Sequence, residues 1–179
     1  GRAVAFQTAE VRPQVAGMIR QVIFKEGNEV KAGDLLYKID DSSYAASLAE
    51  AKASLAKAEA TVPTAQANVV RYEKLVNSGA TQIEFDNAKV TLLQAQADVE
   101  QEKAALQSAQ INLDYTEIKA PFDSVTDISK VDVGNIVTAN QTTALTTLRQ
   151  LDPIYIDLTE SSTNLLELRA AIAAGRLKG

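Results

Sequence analysis

The sequence has no cysteine, no histidine and a single methionine, Met18. Without cysteine there are no disulfides and no thiol chemistry, and without histidine the commonest metal ligand and general base is missing. One methionine gives a soft metal little to bind. No basic run is present either: lysines are interleaved among acids and the net charge is −5, which provides no electrostatic footprint for nucleic acid. No stretch approaches eighteen consecutive apolar residues, and the N-terminus carries no basic-then-apolar leader. These absences weigh against an enzyme, a metal handler and a membrane-spanning helix within these residues, and they imply no cofactor. The chain opens inside a strand-like pattern and stops just after a helix-like one, as the core of a longer protein does.

The dominant feature is the stretch from Ser43 to Leu113, which reads as two long helices joined by the turn Asn77-Ser78-Gly79-Ala80-Thr81. In the first arm, Tyr44, Leu48, Ala51, Leu55, Ala58 and Val62 begin a series at alternating spacings of four and three that continues through Ala65, Val69, Tyr72 and Val76. The second arm repeats the rhythm from Phe85, Ala88 and Leu92 to Leu113, with Glu102 its one position that is not apolar. Such a seam predicts two helices zipped antiparallel as a coiled coil. At about 1.5 Å per residue the arms span about 45 to 53 Å, so the hairpin projects. Pro63 removes one helix hydrogen bond and predicts a kink or bulge.

On either side lie short apolar runs punctuated by turn residues. Between Glu10 and Asp40, the pairs Gly27-Asn28 and Gly33-Asp34 separate about four short strands. About thirty residues cannot bury enough apolar surface to fold alone, so this unit needs a partner. Tyr115 to Leu148 supplies it. An offset near 107 or 108 sets Arg12-Pro13 over Ala120-Pro121, Gly27 over Gly134, Val30 over Val137 and Gly33 over Asn140. The expectation is one β-domain made of two similar halves, with the hairpin inserted between them and its two roots side by side at Asp40 and Leu113.

Three stretches carry a family resemblance. Glu10 to Gly17 together with Phe24 to Asp40 resembles the first lipoyl half of periplasmic adaptors, the membrane fusion proteins of tripartite resistance-nodulation-division (RND) efflux pumps. Tyr115 to Asp123 resembles the second half, and Leu151 to Thr159 the entry into the family's β-barrel domain. Ser124 stands where the family usually has glycine, and Thr81 where its tip motif usually has serine. The resemblance implies an α+β fold: a split lipoyl-like β-sandwich with an inserted antiparallel helical hairpin and part of a β-barrel. The boundaries follow: a barrel-side strand at 1–10, half-motifs at 11–42 and 114–150, the hairpin at 43–113, and the start of the barrel at 151–179. That start is a strand from Ile154 to Leu158 and a helix capped by Ser161 or Ser162 and ending at Gly175.

By the same resemblance the protein is periplasmic, attached to the inner membrane through an N-terminal segment outside this chain. It would join an inner-membrane RND transporter to an outer-membrane channel of the TolC type, with several copies side by side in a ring. Arg71, Leu75 and Thr81 fall at the family's Arg, Leu and Ser tip motif, which docks on the channel. Each also has a local explanation. Arg71 lies near a helix C-terminus, where positive charge is favoured, and Thr81 with Glu84 makes a capping box.

Asp40-Asp41 is a tight acidic pair suited to acid-base or metal chemistry, or to the start of the first helix. Lys38 and Lys119 are the candidates for lipoyl or biotinyl attachment if the β-domain were a carrier module. That alternative conflicts with the insertion, which replaces the tight turn such a lysine occupies. An adaptor of type I secretion or metal efflux shares the architecture.

Overall fold

The structure, a computed structural model, describes residues 2–76, 79–157 and 172. In chain order the elements are β1 (Arg2–Val11), β2 (Gly17–Val22), β3 (Glu29–Val30), β4 (Leu35–Ile39), α1 (Ser42–Leu75), α2 (Gln82–Asp114), β5 (Glu117–Lys119), β6 (Ser124–Thr126), β7 (Ile136–Val137) and β8 (Thr146–Asp157). Every seam position read from the sequence is buried or half-buried, whereas the other positions of the two helices are exposed apart from Ser54 and Asn68. The most deeply buried are Ala58, Ala65 and Val69 on α1 and Ala88, Ala95 and Val99 on α2. Alanine at the seam lets the helix axes approach closely, so a narrow core suffices. α1 stays helical from Ser42 to Leu75 with Pro63 inside it, so the missing N–H at Pro63 does not end the helix. Pro63 is exposed and borders a groove between the two helices with Glu59, Gln96 and Glu100, while its neighbours Val62 and Ala65 lie in the seam.

The eight strands of the described residues form two four-stranded sheets, ordered β1-β8-β6-β3 and β5-β4-β2-β7. The internal repeat is an internal two-fold relation with a constant shift of 107. Gly17↔Val137 and Met18↔Ile136, which join β2 to β7, correspond to Val30↔Ser124 and Glu29↔Val125, which join β3 to β6. The loops follow the same rule. Gly33 N–H donates to the Ala120 carbonyl at 2.8 Å, and Asn140 N–H to the Pro13 carbonyl at 2.8 Å. Lys31 N–H donates to the Asp34 side chain at 2.8 Å, and Thr138 N–H to the Gln141 side chain at 3.1 Å. Each half makes the same contacts to the other, β2 to β7 and β3 to β6, besides its own pairings of β2 with β4 and of β6 with β8, so the sandwich is complete only when both halves are present. The paired turns need left-handed backbone: Gly27 has φ 74°, Gly134 95°, Gly33 91° and Asn140 54°. Asparagine tolerates that region better than other side chains, so Asn140 keeps the turn where glycine would be the default.

The core between the sheets holds Ile19, Leu36, Tyr37, Ile39, Leu145 and Leu148, all fully buried. The Tyr37 hydroxyl donates to the Leu145 carbonyl at 3.2 Å and shares a 2.9 Å hydrogen bond with Ser129 Oγ. Burial pushes its pKa up to about 12, so the phenol stays a neutral donor. Phe24 packs edge-on against its ring at 5.2 Å.

From this sandwich β1 and β8 run outward as one antiparallel ribbon, from Val11↔Thr146 to Arg2↔Asp157, with a bulge between Ala5 and Gln7. The expected strand after Ile154 is the end of β8. Leu158, and all but Ile172 of the helix expected from Ser161 or Ser162 to Gly175, lie outside the described residues.

The family's usual glycine at Ser124 is explained by the two-fold relation. Its mate is Gly17, where an added Cβ would stand 2.5 Å from Ile39 Cγ2. The residue that corresponds to Ile39 in the second half is the shorter Thr146, and Ser124 sits in β6 with the strand pairing intact. Ser124 Oγ is buried without a hydrogen-bond partner among the described residues. Gly17→Ala is expected to cost about 1–3 kcal/mol through overpacking. Ser124→Ala, which removes an unpartnered buried hydroxyl, should be neutral or stabilising by about 1 kcal/mol. Urea midpoints of the two variants check this, and a destabilised Ser124→Ala would contradict it.

Candidate functional site at the hairpin tip

The tip is built by the end of α1 and the start of α2. Arg71 and Leu75 are one turn apart and share a face. Both are exposed, and Arg71 makes no ion pair or side-chain hydrogen bond among the described residues. α1 is closed by its own carbonyls: Val76 N–H donates to Tyr72 O at 3.0 Å, and the N–H groups of Gly79 and Ala80 both donate to Leu75 O at 2.9 Å. The last bond sets Thr81, the next residue, beside the end of α1. All three residues expected at the tip are therefore found there, with Asn77 and Ser78 outside the described residues.

Thr81 is the N-cap of α2, in extended conformation with φ −84° and ψ 155°. Its Oγ1 accepts from Glu84 N–H at 3.3 Å, and its own N–H donates to Glu84 Oε2 at 2.7 Å. The hydroxyl also donates to Glu84 Oε2 at 2.9 Å. The side chain of Thr81 is thus engaged in holding the turn, and Glu84 is held below the usual glutamate pKa, first by the Thr81 backbone N–H and then by its hydroxyl. One turn on, Lys89 Nζ lies 4.2 Å from the centre of the Phe85 ring, a cation–π contact that stiffens the first turns of α2.

Sequence reasoning missed Ile83. It is 71% exposed, two residues after the cap, and with Leu75 at 40% it makes the end of the hairpin apolar as well as cationic. The available signal was an isoleucine at a position outside the seam.

The other candidates serve the hairpin root. Asp40 accepts from Ser42 N–H at 3.2 Å and from the Ser42 hydroxyl, and takes Arg20 at 3.0 Å. The bonds from Ser42 and then the Arg20 charge hold its carboxyl below the usual range. Asp41 pairs with Lys38 at 3.2 Å, and Lys119 with Glu117 at 3.0 Å. Asp41 is the N-cap residue of α1 but makes no side-chain cap; Asp40 supplies the acceptor instead. Among the described residues no group of three histidine, cysteine, aspartate or glutamate side chains is arranged to hold a metal. Lys38 and Lys119 lie on neighbouring strands, where Lys38 pairs with Glu117, and not on a tight turn.

This architecture defines a class: a two-fold sandwich of lipoyl type whose crossing point is drawn out into a helical hairpin. Residues 7–149 match the family described as RND MFP, barrel-sandwich hybrid domain. The chain belongs to that family of membrane fusion proteins. It is 45% identical over 179 residues to the multidrug efflux pump subunit AcrA of Escherichia coli (strain K12), covering 99% of this chain and 45% of AcrA. It is 44% identical over 179 residues to the antibiotic efflux pump periplasmic linker protein ArpA of Pseudomonas putida, covering 99% of this chain and 44% of ArpA. The chain thus spans a little under half the length of these curated relatives. Among solved structures it is similar to a MacA–MexA chimeric protein containing the Pseudomonas aeruginosa MexA α-hairpin domain. The TM-score is 0.58 at 30% identity, over 90% of this chain and 55% of that one.

The cap has a pH signature. Because Glu84 is held below 4.5, its contribution is complete above that value and is lost as pH falls through the lower folded value. Amide protection at Thr81 and Glu84 should therefore fall below about pH 4.5 in the native chain. It should stay flat in Glu84→Gln, which keeps the box without the charge. Hydrogen exchange read as protection factors checks both, and an equal pH response in the two proteins would contradict the assignment.

Proposed function

We propose that this chain is the hairpin and sandwich portion of a periplasmic adaptor in a tripartite multidrug efflux pump. Its hairpin tip engages an outer-membrane channel of the TolC type, and its sandwich and ribbon side faces an inner-membrane RND transporter. The observation that carries the reading is the tip itself: an exposed cation, Arg71, and two exposed apolar side chains, Leu75 and Ile83, at the end of an arm of about 50 Å. Family membership supports it, since the similar AcrA and ArpA are named as efflux pump components. In this reading the work is mechanical. Arg71 and Leu75 make the contact, with apolar anchors beside a flanking charge as in other helix-in-groove docking. Thr81 presents that contact by fixing the turn. The tip is small, so several copies acting together gain by avidity what one contact lacks. The protein resides in the periplasm and is held at the inner membrane.

The missing cysteines make this testable. Gly79 has open space where a Cβ would go, so Gly79→Cys places a thiol at the tip without strain, and exposed Ser108→Cys near the root is the control. In cells with a TolC-type channel, Gly79→Cys should crosslink to the channel and Ser108→Cys should not. Adding Arg71→Asp should lower the yield about tenfold, as expected when a docked cation is reversed. Equal crosslinking from tip and root, or none from the tip of a folded, abundant protein, would overturn the channel as the tip's partner.

A further inference from the structure

Both helices are rooted in the sandwich by the chain itself, β4 leading into α1 and α2 into β5. Beyond those two connections their attachments are unequal. Among the described residues no side-chain hydrogen bond or ion pair runs from α2 to the sandwich: Gln110 bonds to Asp114 within the helix, and Thr116 Oγ1 donates to the Leu113 carbonyl at 2.6 Å. The start of α1 is held from outside. Asp40, which supplies its capping acceptor, is bonded to β2 through its N–H to the Met18 carbonyl at 2.9 Å and through its carboxylate to Arg20 at 3.0 Å. Tyr44, in the first turn, donates its hydroxyl to the Ala16 carbonyl at 2.7 Å. Of the two helices, Tyr44 alone packs against the buried core among the described residues.

The two-fold relation shows the same place without that ring. The shift of 107 carries Ala16 to Asp123, Gly17 to Ser124 and Tyr44 to Leu151. In the second half those three residues line an open cleft of about 550 Å³ between sandwich and ribbon. In the first half the corresponding place holds the Tyr44 ring, bonded at its far end to Ala16. The Arg20–Asp40 pair is no substitute, because an exposed ion pair is screened and costs side-chain entropy to hold. Tyr44 is the contact that combines apolar packing with a hydrogen bond.

We propose that Tyr44 is the positioning residue of the arm: its ring and hydroxyl seat α1 on the sandwich, fix the direction in which the hairpin leaves, and so place the tip. α2 follows α1 through the seam and sets no direction of its own. The lever is long. A tilt of about 10° at the root moves a tip about 50 Å away by about 9 Å, so one contact at the root decides where Arg71 and Leu75 are presented.

The absence of native cysteine allows the direction to be measured on the purified chain. Lys25→Cys on the sandwich and Ala67→Cys, about 35 Å along α1 from Tyr44, are both exposed and take spin labels for pulsed electron resonance. The labelled chain with Tyr44 should give one narrow distance distribution. Tyr44→Phe, which keeps the ring and removes the hydroxyl, should raise the fraction outside that peak about two- to tenfold, the equilibrium worth of one neutral hydrogen bond. Tyr115→Phe makes the same change at the root of α2, where the tyrosine lies outside the core cluster, and should leave the distribution unchanged. Circular dichroism should show intact helices in each. A Tyr44→Phe distribution no broader than that of the parent would overturn the proposal, and so would equal broadening by both variants. In cells, adding Tyr44→Phe to Gly79→Cys should lower crosslinking to the channel, a consequence that rests on the proposed reading of the tip; equal yields would overturn the positioning role. No crosslinking from Gly79→Cys with Tyr44 in place would count against the tip reading alone, because the distances are measured with no partner present.

Discussion

The pairing of β4 with β5 is the constraint on which the rest of the structure depends. Ile39 N–H donates to the Thr116 carbonyl at 2.9 Å, and between those two residues the chain travels out along α1 and back along α2. Closing so long an insertion costs entropy that grows only as the logarithm of its length. Once the strands hold both roots together, each step of the seam adds contacts without a further closure penalty. The sandwich in turn needs the insertion's ends fixed, because β4 and β5 lie side by side in one sheet. Tyr44, in the first turn of α1, ties the two units by donating from its hydroxyl to the Ala16 carbonyl at 2.7 Å.

The two-fold relation explains why the arm emerges where it does. In each half a strand crosses to the other half and needs an exit. In the first half the exit is occupied by the helices, and Ile39 packs there against a glycine, Gly17, which leaves no room for a side chain. In the second half the matching strand, β8, continues instead into the ribbon with β1, and its shorter Thr146 accommodates Ser124. One repeated unit therefore has two different extensions, an arm and a ribbon, projecting from a shared core. Such a part has two projecting ends, the hairpin tip and the β1–β8 ribbon.

Sequence patterning reported the seam with high fidelity, because a heptad rhythm has one geometric solution and every position in it proved shielded. The repeat was also visible, since left-handed turns select glycine or asparagine and the four turn positions line up at one shift. At Pro63 local helix chemistry predicts a kink or bulge, and the residue sits within a continuous helix whose neighbouring Val62 and Ala65 are shielded seam positions. Ser124 could not be understood from its own position at all; its tolerance depends on Thr146, distant in sequence. At the tip, Thr81 and Glu84 spelled out a cap, and the structure shows that cap made. Ile83 went unnoticed because one isoleucine outside the seam carries no sign of its exposure until the structure shows it 71% exposed.

The central claim is that the arm is a spacer whose length sets where the tip lies. Removing one heptad from each helix, residues 54–60 from α1 and the facing 100–106 from α2, keeps the seam in phase while drawing the tip back by about 10 Å. Drug export by cells relying on the shortened protein is the measurement to make, alongside circular dichroism to show that helices and sandwich remain. The account predicts a folded protein with export lost. Undiminished export from the shortened, folded arm would contradict it.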